Sequence, residues 1–438
     1  MAQTRVPFPS FADLSAHLDG LGLFRVRPEL GRLREVLRAL GVDTLWPGGG
    51  KNRKAAAVQI AGTNGKGSTA TFLASLAKAR GLKTGLFTSP HFVSFRERIR
   101  LNNIPVAENT LLEPANRIMT AGGKNLTYFE FVTALAALVF AGEGVDLAVM
   151  ETGLGGAWDA VSALPVACLA YTPIGLDHCA ILGDTPGKIA QDKAGAMRPH
   201  KTVFCAEQQP DVLQVLRDSA FTLRCPFFLT KPLEEKTVLG LEGEHQLGNA
   251  ALALAVWRHL AEKMAWGTAE DAEKAGLAQA FIPGRLQYVP PCPARGHPAL
   301  LLDGAHNGHG MAALAKALAA KGIAPAAVIF SCLEDKVPED MAAHLRILTG
   351  GPVFVPPISH NPRALSPEKI AGIIGLSASP VPNMEEALHK AAAVIAERLP
   401  DEAAADPERH PALICGSLYM LGDFYALRPD CLAAQKQR

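Results

Sequence analysis

Thr63-Asn64-Gly65-Lys66-Gly67-Ser68 sets a lysine between two glycines. An apolar run at residues 55–61 precedes it, and a helix-like run at residues 68–80 follows and stops at Gly81. Strand, glycine loop, lysine, hydroxyl residue and helix is an order that suits nucleotide phosphates. Glycines let backbone N–H groups approach phosphate oxygens, the helix N-terminus adds partial positive charge, and the lysine adds a full charge. The expected ligand is ATP or GTP. The spacing departs from the common G-x-x-x-x-G-K-[ST] loop: Gly62 lies three positions before Gly65, Ile60 stands where the first glycine is usual, and Gly67 separates Lys66 from Ser68. The position that usually puts a hydroxyl on Mg²⁺ is therefore a glycine, so a metal would need other ligands. A bland turn also tolerates Gly and Asn, but strand and helix flank this loop on the correct sides.

Further polar residues follow predicted strands. Ser89 follows residues 84–88, Glu151 follows 145–150 and leads into Gly153-Leu154-Gly155-Gly156, and Asp177-His178 follow 166–172 with Lys193 on the next helix. Each has a plain reading on its own, the histidine as a hydrogen-bonded surface residue and the glutamate as an ordinary strand end. Together, on one sheet edge beside a phosphate loop, they read as a candidate cation site. Hydroxyl, carboxylate and imidazole all ligate Mg²⁺ or Mn²⁺, imidazole rarely so for Mg²⁺. Later in the chain Asp303-Gly304-Ala305-His306-Asn307 follow an apolar run at 299–302, and Gly416-Ser417 follow one at 412–415. Serine there also suits a plain helix N-cap. Two strand-end clusters on two domains suggest a shared cleft.

The elements that must position these groups alternate. Residues 12–41 read as two short amphipathic helices. Strands are expected at 55–61, 84–88, 145–150, 166–172 and 202–205, and helices at 68–80, 127–141, 186–197 and 249–263. Residues 289–298, rich in proline and without apolar periodicity, read as a linker. The alternation then restarts with strands at 299–302, 326–330, 352–355 and 412–415 and helices at 311–321, 338–348 and 384–399, while 401–406 reads as a surface loop. The fold class is α/β in two domains: an N-terminal P-loop NTPase-like parallel sheet with helices (residues 1–288) and a smaller Rossmann-like α/β domain (residues 299–438). In such sheets ligands bind beyond the carboxyl ends of the strands.

A chain of 438 residues is long for one core, which agrees with two domains. With 43 basic against 42 acidic residues, no footprint for nucleic acid or an anionic membrane is expected. The eight scattered cysteines form no C-x-x-C pair and read as reduced core residues. No signal-peptide block is seen near the N-terminus, and the longest apolar stretch, near residues 131–142, is too short to span a bilayer. The expectation is a cytoplasmic protein, a monomer acting on small molecules.

The loop with Ala61 and Gly62, Thr88-Ser89-Pro90-His91, Glu151-Thr152-Gly153-Leu154-Gly155-Gly156, Leu176-Asp177-His178, Lys193-Ala194-Gly195, Pro283-Gly284-Arg285-Leu286-Gln287, Asp303-Gly304-Ala305-His306-Asn307 and Gly416-Ser417-Leu418-Tyr419 occur in that order. The ordered set resembles the folylpolyglutamate synthase/dihydrofolate synthase family, relatives of the Mur peptidoglycan ligases, from about residue 12 to about residue 425. The resemblance implies an ATP- and Mg²⁺-dependent amide ligase. A carboxylate attacks the γ-phosphate, giving an acyl phosphate and ADP, and the amine of L-glutamate displaces phosphate. It implies ATP contacts from Thr63, Asn64, Gly65, Lys66, Gly67, Ser68, Asn249, Arg285 and Asp303. Ser89, Glu151 and His178 would hold metal, with two Mg²⁺ ions expected. It also implies a carbamylated Lys193, and His306 and Ser417 on the glutamate side; Lys66, Lys193 and His306 would serve catalysis. Leu126-Thr127-Tyr128-Phe129-Glu130 resembles the pterin-side segment of members that accept dihydropteroate as well as folates, which favours a bifunctional enzyme. Trp158, Asp159 and Ala160 fall beside the expected pterin pocket. Without the rest, Tyr128 and Phe129 would read equally well as core aromatics opening a helix.

The chain departs from the family pattern in places. Ala157 replaces a frequent arginine, Trp158 a usual aliphatic residue, and Val161-Ser162 a common Thr-Asn pair. Gly308 replaces proline after Asn307, and Val337 replaces the second aspartate of Asp-Lys-Asp. Two other readings stand beside the folate ligase. A Mur-type ligase acting on another carboxylate would share the phosphate loop but not residues 126–130 and 283–287 together. A regulatory GTPase would carry N-K-x-D, which this chain lacks.

Overall fold

The computed structural model describes residues 7–22, 28–42, 46, 55–334, 336–359, 361–375, 377–398 and 406–433. Backbone contacts divide the chain into two units: Met1–Gly240 with Gln246–Ala280, and Leu241–His245 with Phe281–Arg438.

The first unit is built on an eight-stranded sheet. Its strands are β1 (Ala56–Ala61), β2 (Thr84–Phe87), β3 (Ile99–Leu101), β4 (Ile104–Pro105), β5 (Leu147–Glu151), β6 (Cys168–Tyr171), β7 (Thr202–Cys205) and β8 (Phe227–Leu229), in the order β4-β3-β2-β5-β1-β6-β7-β8. Every residue of β1 is buried, as a continuous apolar run covered on both faces should be. It pairs in parallel with β5 (Ile60 opposite Glu151) and with β6 (Ala61 opposite Tyr171). That register ends three neighbouring strands at one edge, so the segments after Ala61, Glu151 and Tyr171 leave the sheet side by side.

The helices of this unit are α1 (Phe11–Leu21), α2 (Gly31–Ala39), α3 (Lys66–Ala79), α4 (Glu108–Thr120), α5 (Tyr128–Gly142), α6 (Cys179–Leu182), α7 (Pro186–Ala194), α8 (Pro210–Thr222), α9 (His245–Lys263) and α10 (Glu270–Ala278). Local chemistry sets several starts. Ser10 and Asp13 form a capping box on α1, Thr127 and Glu130 one on α5, and Thr185 caps α7 just before Pro186. α5 is buried on nearly all sides, hence its lack of a polar stripe.

The sheet departs from the all-parallel expectation at one edge. β3 and β4 form a hairpin antiparallel to β2, turned at Asn102 (φ 50°) and Asn103 (φ 68°). Asparagine tolerates the left-handed region that such a turn requires.

The second unit carries β9 (Gln287–Val289), β10 (Leu300–Leu302), β11 (Ala327–Phe330), β12 (Val353–Val355), β13 (Ala378–Pro380) and β14 (Ala412–Cys415), in the order β13-β12-β11-β14-β10-β9. All neighbours are parallel except β9, which runs antiparallel to β10. Its helices are α11 (Gly308–Lys321), α12 (Pro338–Leu348), α13 (Pro367–Ile374), α14 (Met384–Arg398) and α15 (Leu418–Leu427). β9 and the proline-rich segment correct the expected linker at 289–298. Val289 pairs with Leu300, and Cys292 N donates to His297 O at 3.0 Å. The stretch is an edge strand and its turn, where proline costs no ladder hydrogen bond, and the second unit already includes Phe281. Of the alanine-rich stretch 401–406 only Asp406 is among the described residues. No helix of the described residues is long and apolar enough to cross a membrane.

Candidate active site

The glycine loop leaves β1 in a shape that only glycine permits at two points. Gly62 has φ 144°, and a Cβ there would lie 1.9 Å from Thr172 Oγ1. Gly65, the residue before α3, has φ 85°, and its Cβ would lie 2.3 Å from Asn249 Oδ1. The loop is strapped to the segment after β6. Thr63 N and Asn64 N donate to Pro173 O at 3.0 and 3.2 Å, and Thr63 Oγ1 donates to Gly175 O at 3.1 Å. α3 begins at Lys66, two residues before the sequence-based start, and has neither a side-chain cap nor an acidic residue in its first turn. Its leading N–H groups are thus left for an anion. Lys66 Nζ folds back over the loop and donates to Thr63 O at 2.8 Å. Buried Asn249 lies against Gly65 and donates through Nδ2 to Gln246 Oε1 at 2.9 Å.

The structure brings Glu151 and Ser89 to this loop. Glu151 ends β5, is 4% exposed, and accepts at Oε2 from Ser89 N at 2.9 Å. A Cβ on Gly67 would stand 3.6 Å from the same oxygen, so the carboxylate faces the first turn of α3. His178 sits at φ 50° ahead of the short helix α6; its N–H donates to Asp177 Oδ1 at 2.9 Å and its Nε2 lies 3.9 Å from Asp177 Oδ2. Lys193, near the end of α7, is buried, and Tyr171 Oη donates to its carbonyl at 2.9 Å. Burial pushes the Lys193 ammonium down to about 7, helped by the Lys66 charge and opposed by Asp192, Asp159 and Asp177. The described residues contain no group of three His, Cys, Asp or Glu arranged to hold a metal.

On the expected pterin side the residues divide by task. Asp159 is a loop organiser: Oδ2 accepts from Gly153 N and Leu154 N at 2.9 and 3.0 Å, and Oδ1 accepts from Val161 N at 2.9 Å. Its burial outweighs those bonds and raises its carboxyl to about 6. Ala160 is buried, whereas Trp158 is 55% exposed. Thr127 and Glu130 cap α5, and buried Tyr128 lies under the Arg98 guanidinium, 5.3 Å from its ring centroid. Phe129 rests its ring on the backbone of Gly153, where a Cβ would come within 2.5 Å of it.

No role is assigned from sequence to His91 or to the loop that follows it. Glu97 accepts from Phe92 N, Val93 N and Ser94 N at 2.8, 2.8 and 2.7 Å and so fixes that loop. The Ser94-x-x-Glu97 capping box was a legible signal for it. Arg98 Nε donates to His91 Nδ1 at 2.8 Å, and burial, then the Arg98 charge, lowers His91 to about 3, which keeps the imidazole neutral.

In the second unit Asp303 follows β10 and shapes its own loop. Its oxygens accept from Leu286 N and Ala305 N, both at 2.9 Å, and burial raises its carboxyl while Arg285 opposes the rise. His306 Nδ1 lies 2.7 Å from Gly304 O. Ser417 Oγ accepts from Tyr419 N at 3.1 Å as the N-cap of α15, the plain role that serine at a strand end allows. Gln287 joins the two ends of this unit: Oε1 accepts from Gly284 N at 2.9 Å and Tyr425 Oη at 2.7 Å, and Nε2 donates to Cys431 O at 2.8 Å.

A doubly wound sheet with an uncapped, lysine-bearing phosphate loop, in a chain that also carries a second α/β unit, is the arrangement of a nucleotide-phosphate-binding protein. Residues 284–401 match the family model described as "Mur ligase, glutamate ligase domain". The dihydrofolate synthase/folylpolyglutamate synthase of Bacillus subtilis is 33% identical over 78% of this chain and 84% of its own length. With several longer relatives the alignment takes in about half of their length or less. Among solved structures, Mycobacterium tuberculosis folylpolyglutamate synthase complexed with ADP superposes with a TM-score of 0.81 at 28% identity, covering 97% of this chain and 99% of the other. The bifunctional synthase of Yersinia pestis complexed with AMPPNP and Mn ion gives 0.80 at 26% identity, covering 98% and 100%. This chain belongs to the dihydrofolate synthase/folylpolyglutamate synthase family.

Proposed function

We propose that the protein is a cytoplasmic, monomeric ligase that uses ATP to join L-glutamate to dihydropteroate and to tetrahydrofolate. The observation that carries this reading is the open start of α3, with Lys66 above it and the Glu151 carboxylate against Gly67. Phosphoryl transfer needs alignment and charge neutralisation more than covalent help, and this corner supplies both. The loop amides and Lys66 hold the triphosphate. The substrate carboxylate attacks the γ-phosphorus, the bond to the β-γ bridging oxygen breaks, and ADP leaves. The amine of glutamate then adds to the acyl carbon of the acyl phosphate, loses a proton and expels inorganic phosphate.

Hard oxygen donors at a strand end beside a phosphate loop fit Mg²⁺. Glu151 and Ser89 would hold it, with His178 joining them, in a site for two ions. Bound there, it would neutralise charge on the phosphates. Only two of these three are His, Cys, Asp or Glu, so phosphate oxygens and water would complete the coordination. A carbamate on Lys193 would add an anion to the same neighbourhood. We assign Asn249, Arg285 and Asp303 to the nucleotide, and His306 and Ser417 to glutamate. Thr127, Tyr128, Phe129, Trp158, Asp159 and Ala160 we assign to the pterin side.

The test is ADP release with L-glutamate and dihydropteroate, tetrahydrofolate or a UDP-muramyl acceptor. Turnover with the first two and none with the third is expected. ATP consumed only with the muramyl acceptor would replace this reading by a cell-wall ligase. Glu151→Ala is expected to raise the Mg²⁺ needed for half-maximal rate by about 10- to 100-fold, and an unchanged Mg²⁺ titration would remove Glu151 from the metal site.

A further inference from the structure

Glu130 falls in the segment that the family resemblance places on the pterin, yet its carboxylate is enclosed, with the side chain 6% exposed. Oε2 accepts from Thr127 N at 2.8 Å, Thr127 Oγ1 at 2.9 Å and Arg32 Nε at 3.0 Å, and Oε1 lies 2.8 Å from Arg32 Nη2. Arg32 lies on α2, 98 residues away in sequence, and its own side chain is 15% exposed. This is a buried, bidentate guanidinium–carboxylate pair, the strong and directional kind. A capping box needs only Thr127 and Glu130. The arginine adds a tie that fixes the start of α5 against α2. Directly after that start comes Phe129, whose ring sits on Gly153 and packs 5.7 Å from the Phe87 ring. Gly153 is in turn held through its N–H by Asp159. Hydrogen bonds join Arg32, Glu130 and Thr127, Phe129 precedes Glu130 in the chain, and the Phe129 ring meets Gly153, so a path runs from α2 to the loop that follows Glu151.

We propose that Arg32 is a positioning residue for the pterin acid, acting through Glu130 to hold Thr127 and Phe129 in place, and that Glu130 acts the same way rather than on the substrate. The proposal rests on the folate-ligase reading above. A misplacement of about 1 Å in a substrate-positioning group costs up to about 10²-fold.

The experiment measures steady-state kinetics for ATP, glutamate and dihydropteroate, and calorimetric binding of dihydropteroate, for the wild type, Arg32→Ala, Arg32→Lys, Glu130→Gln and the Arg32→Ala/Glu130→Gln pair. Near-ultraviolet circular dichroism checks folding. Arg32→Ala is expected to raise the dihydropteroate KM and Kd about tenfold, while kcat and the KM values for ATP and glutamate stay within about twofold. Arg32→Lys keeps the charge but not the fork, so it should fall between wild type and alanine. The double variant should be no worse than the worse single one, because both act through one contact. Fully additive losses would make Glu130 a direct substrate contact and overturn the proposal. So would a lowered melting temperature with unchanged dihydropteroate KM and Kd in Arg32→Lys. A wild type that neither binds nor turns over dihydropteroate overturns the functional reading and the proposal together.

Discussion

Lys66→Ala is expected to lower glutamate-dependent ADP release by about 10²- to 10³-fold with the fold intact, the loss usual when one preorganised donor to a developing anion is removed. In free-energy terms a thousandfold loss is about 4 kcal/mol of transition-state stabilisation. The fold should survive because the loop does not depend on the Lys66 side chain for its shape. Lys66 Nζ donates to the carbonyl of Thr63, while the loop keeps its shape through Thr63 N, Asn64 N and Thr63 Oγ1. Circular dichroism and the melting temperature should therefore match wild type while kcat falls. Removing the Lys66 charge should also relieve Lys193, whose ammonium it helps to depress, so the variant's Lys193 should hold its proton to higher pH. Unchanged turnover would take the glycine loop out of the reaction.

What the sequence made legible was what short-range chemistry determines. The buried run of β1, the glycines behind it and the apolar run of α5 each act within a few positions, so that strand, the loop and that helix could be read directly. Gly67 hid the first turn of α3, since glycine is a poor helix former, although the structure starts that helix at Lys66. α4 was missed because Pro114 lies inside it. β3 and β4 are three and two residues long, too short for a periodicity. Residues 289–298 lack apolar periodicity because an edge strand and its turn, not a linker, occupy them, and proline is tolerated at an edge.

Of the candidate site residues, Lys66 and Glu151 stand out by motif and strand position, whereas Asn249, on a helix, entered only through the family resemblance. Their mutual placement came only from the register of β1 with β5 and from the return of α9 to Gly65. The pairs Arg32–Glu130 and Arg98–His91 were not legible, since neither residue type nor spacing announces its partner.

Lys193→Ala is the second large expected effect: a fall of about 10²- to 10³-fold, the scale of one preorganised charge, with partial recovery on adding acetate or another short carboxylate. The argument begins with burial. An ammonium taken out of water loses its proton more readily, and Lys193 is brought from 10.5 to about 7, mainly by desolvation. A neutral amine is the form that attacks carbon dioxide, so at neutral pH this lysine is ready for carbamylation where a surface lysine is not. The same shift sets the sign of the pH dependence. Between pH 7 and 10.5 the unfolded chain holds a proton on Lys193 that the folded chain has released. This group therefore makes the fold more stable as pH rises through that window, and its full burden is felt below pH 7. Wild-type activity should accordingly rise from pH 6 to 8 and respond to bicarbonate most steeply at the acid end, whereas Lys193→Ala should lose both responses. A carbamate signal from labelled bicarbonate, present in wild type and absent in the variant, would tie the effect to the modification. Rescue of the variant by short amines in place of carboxylates would instead make Lys193 a working cation, and intact activity would leave it a structural end to α7.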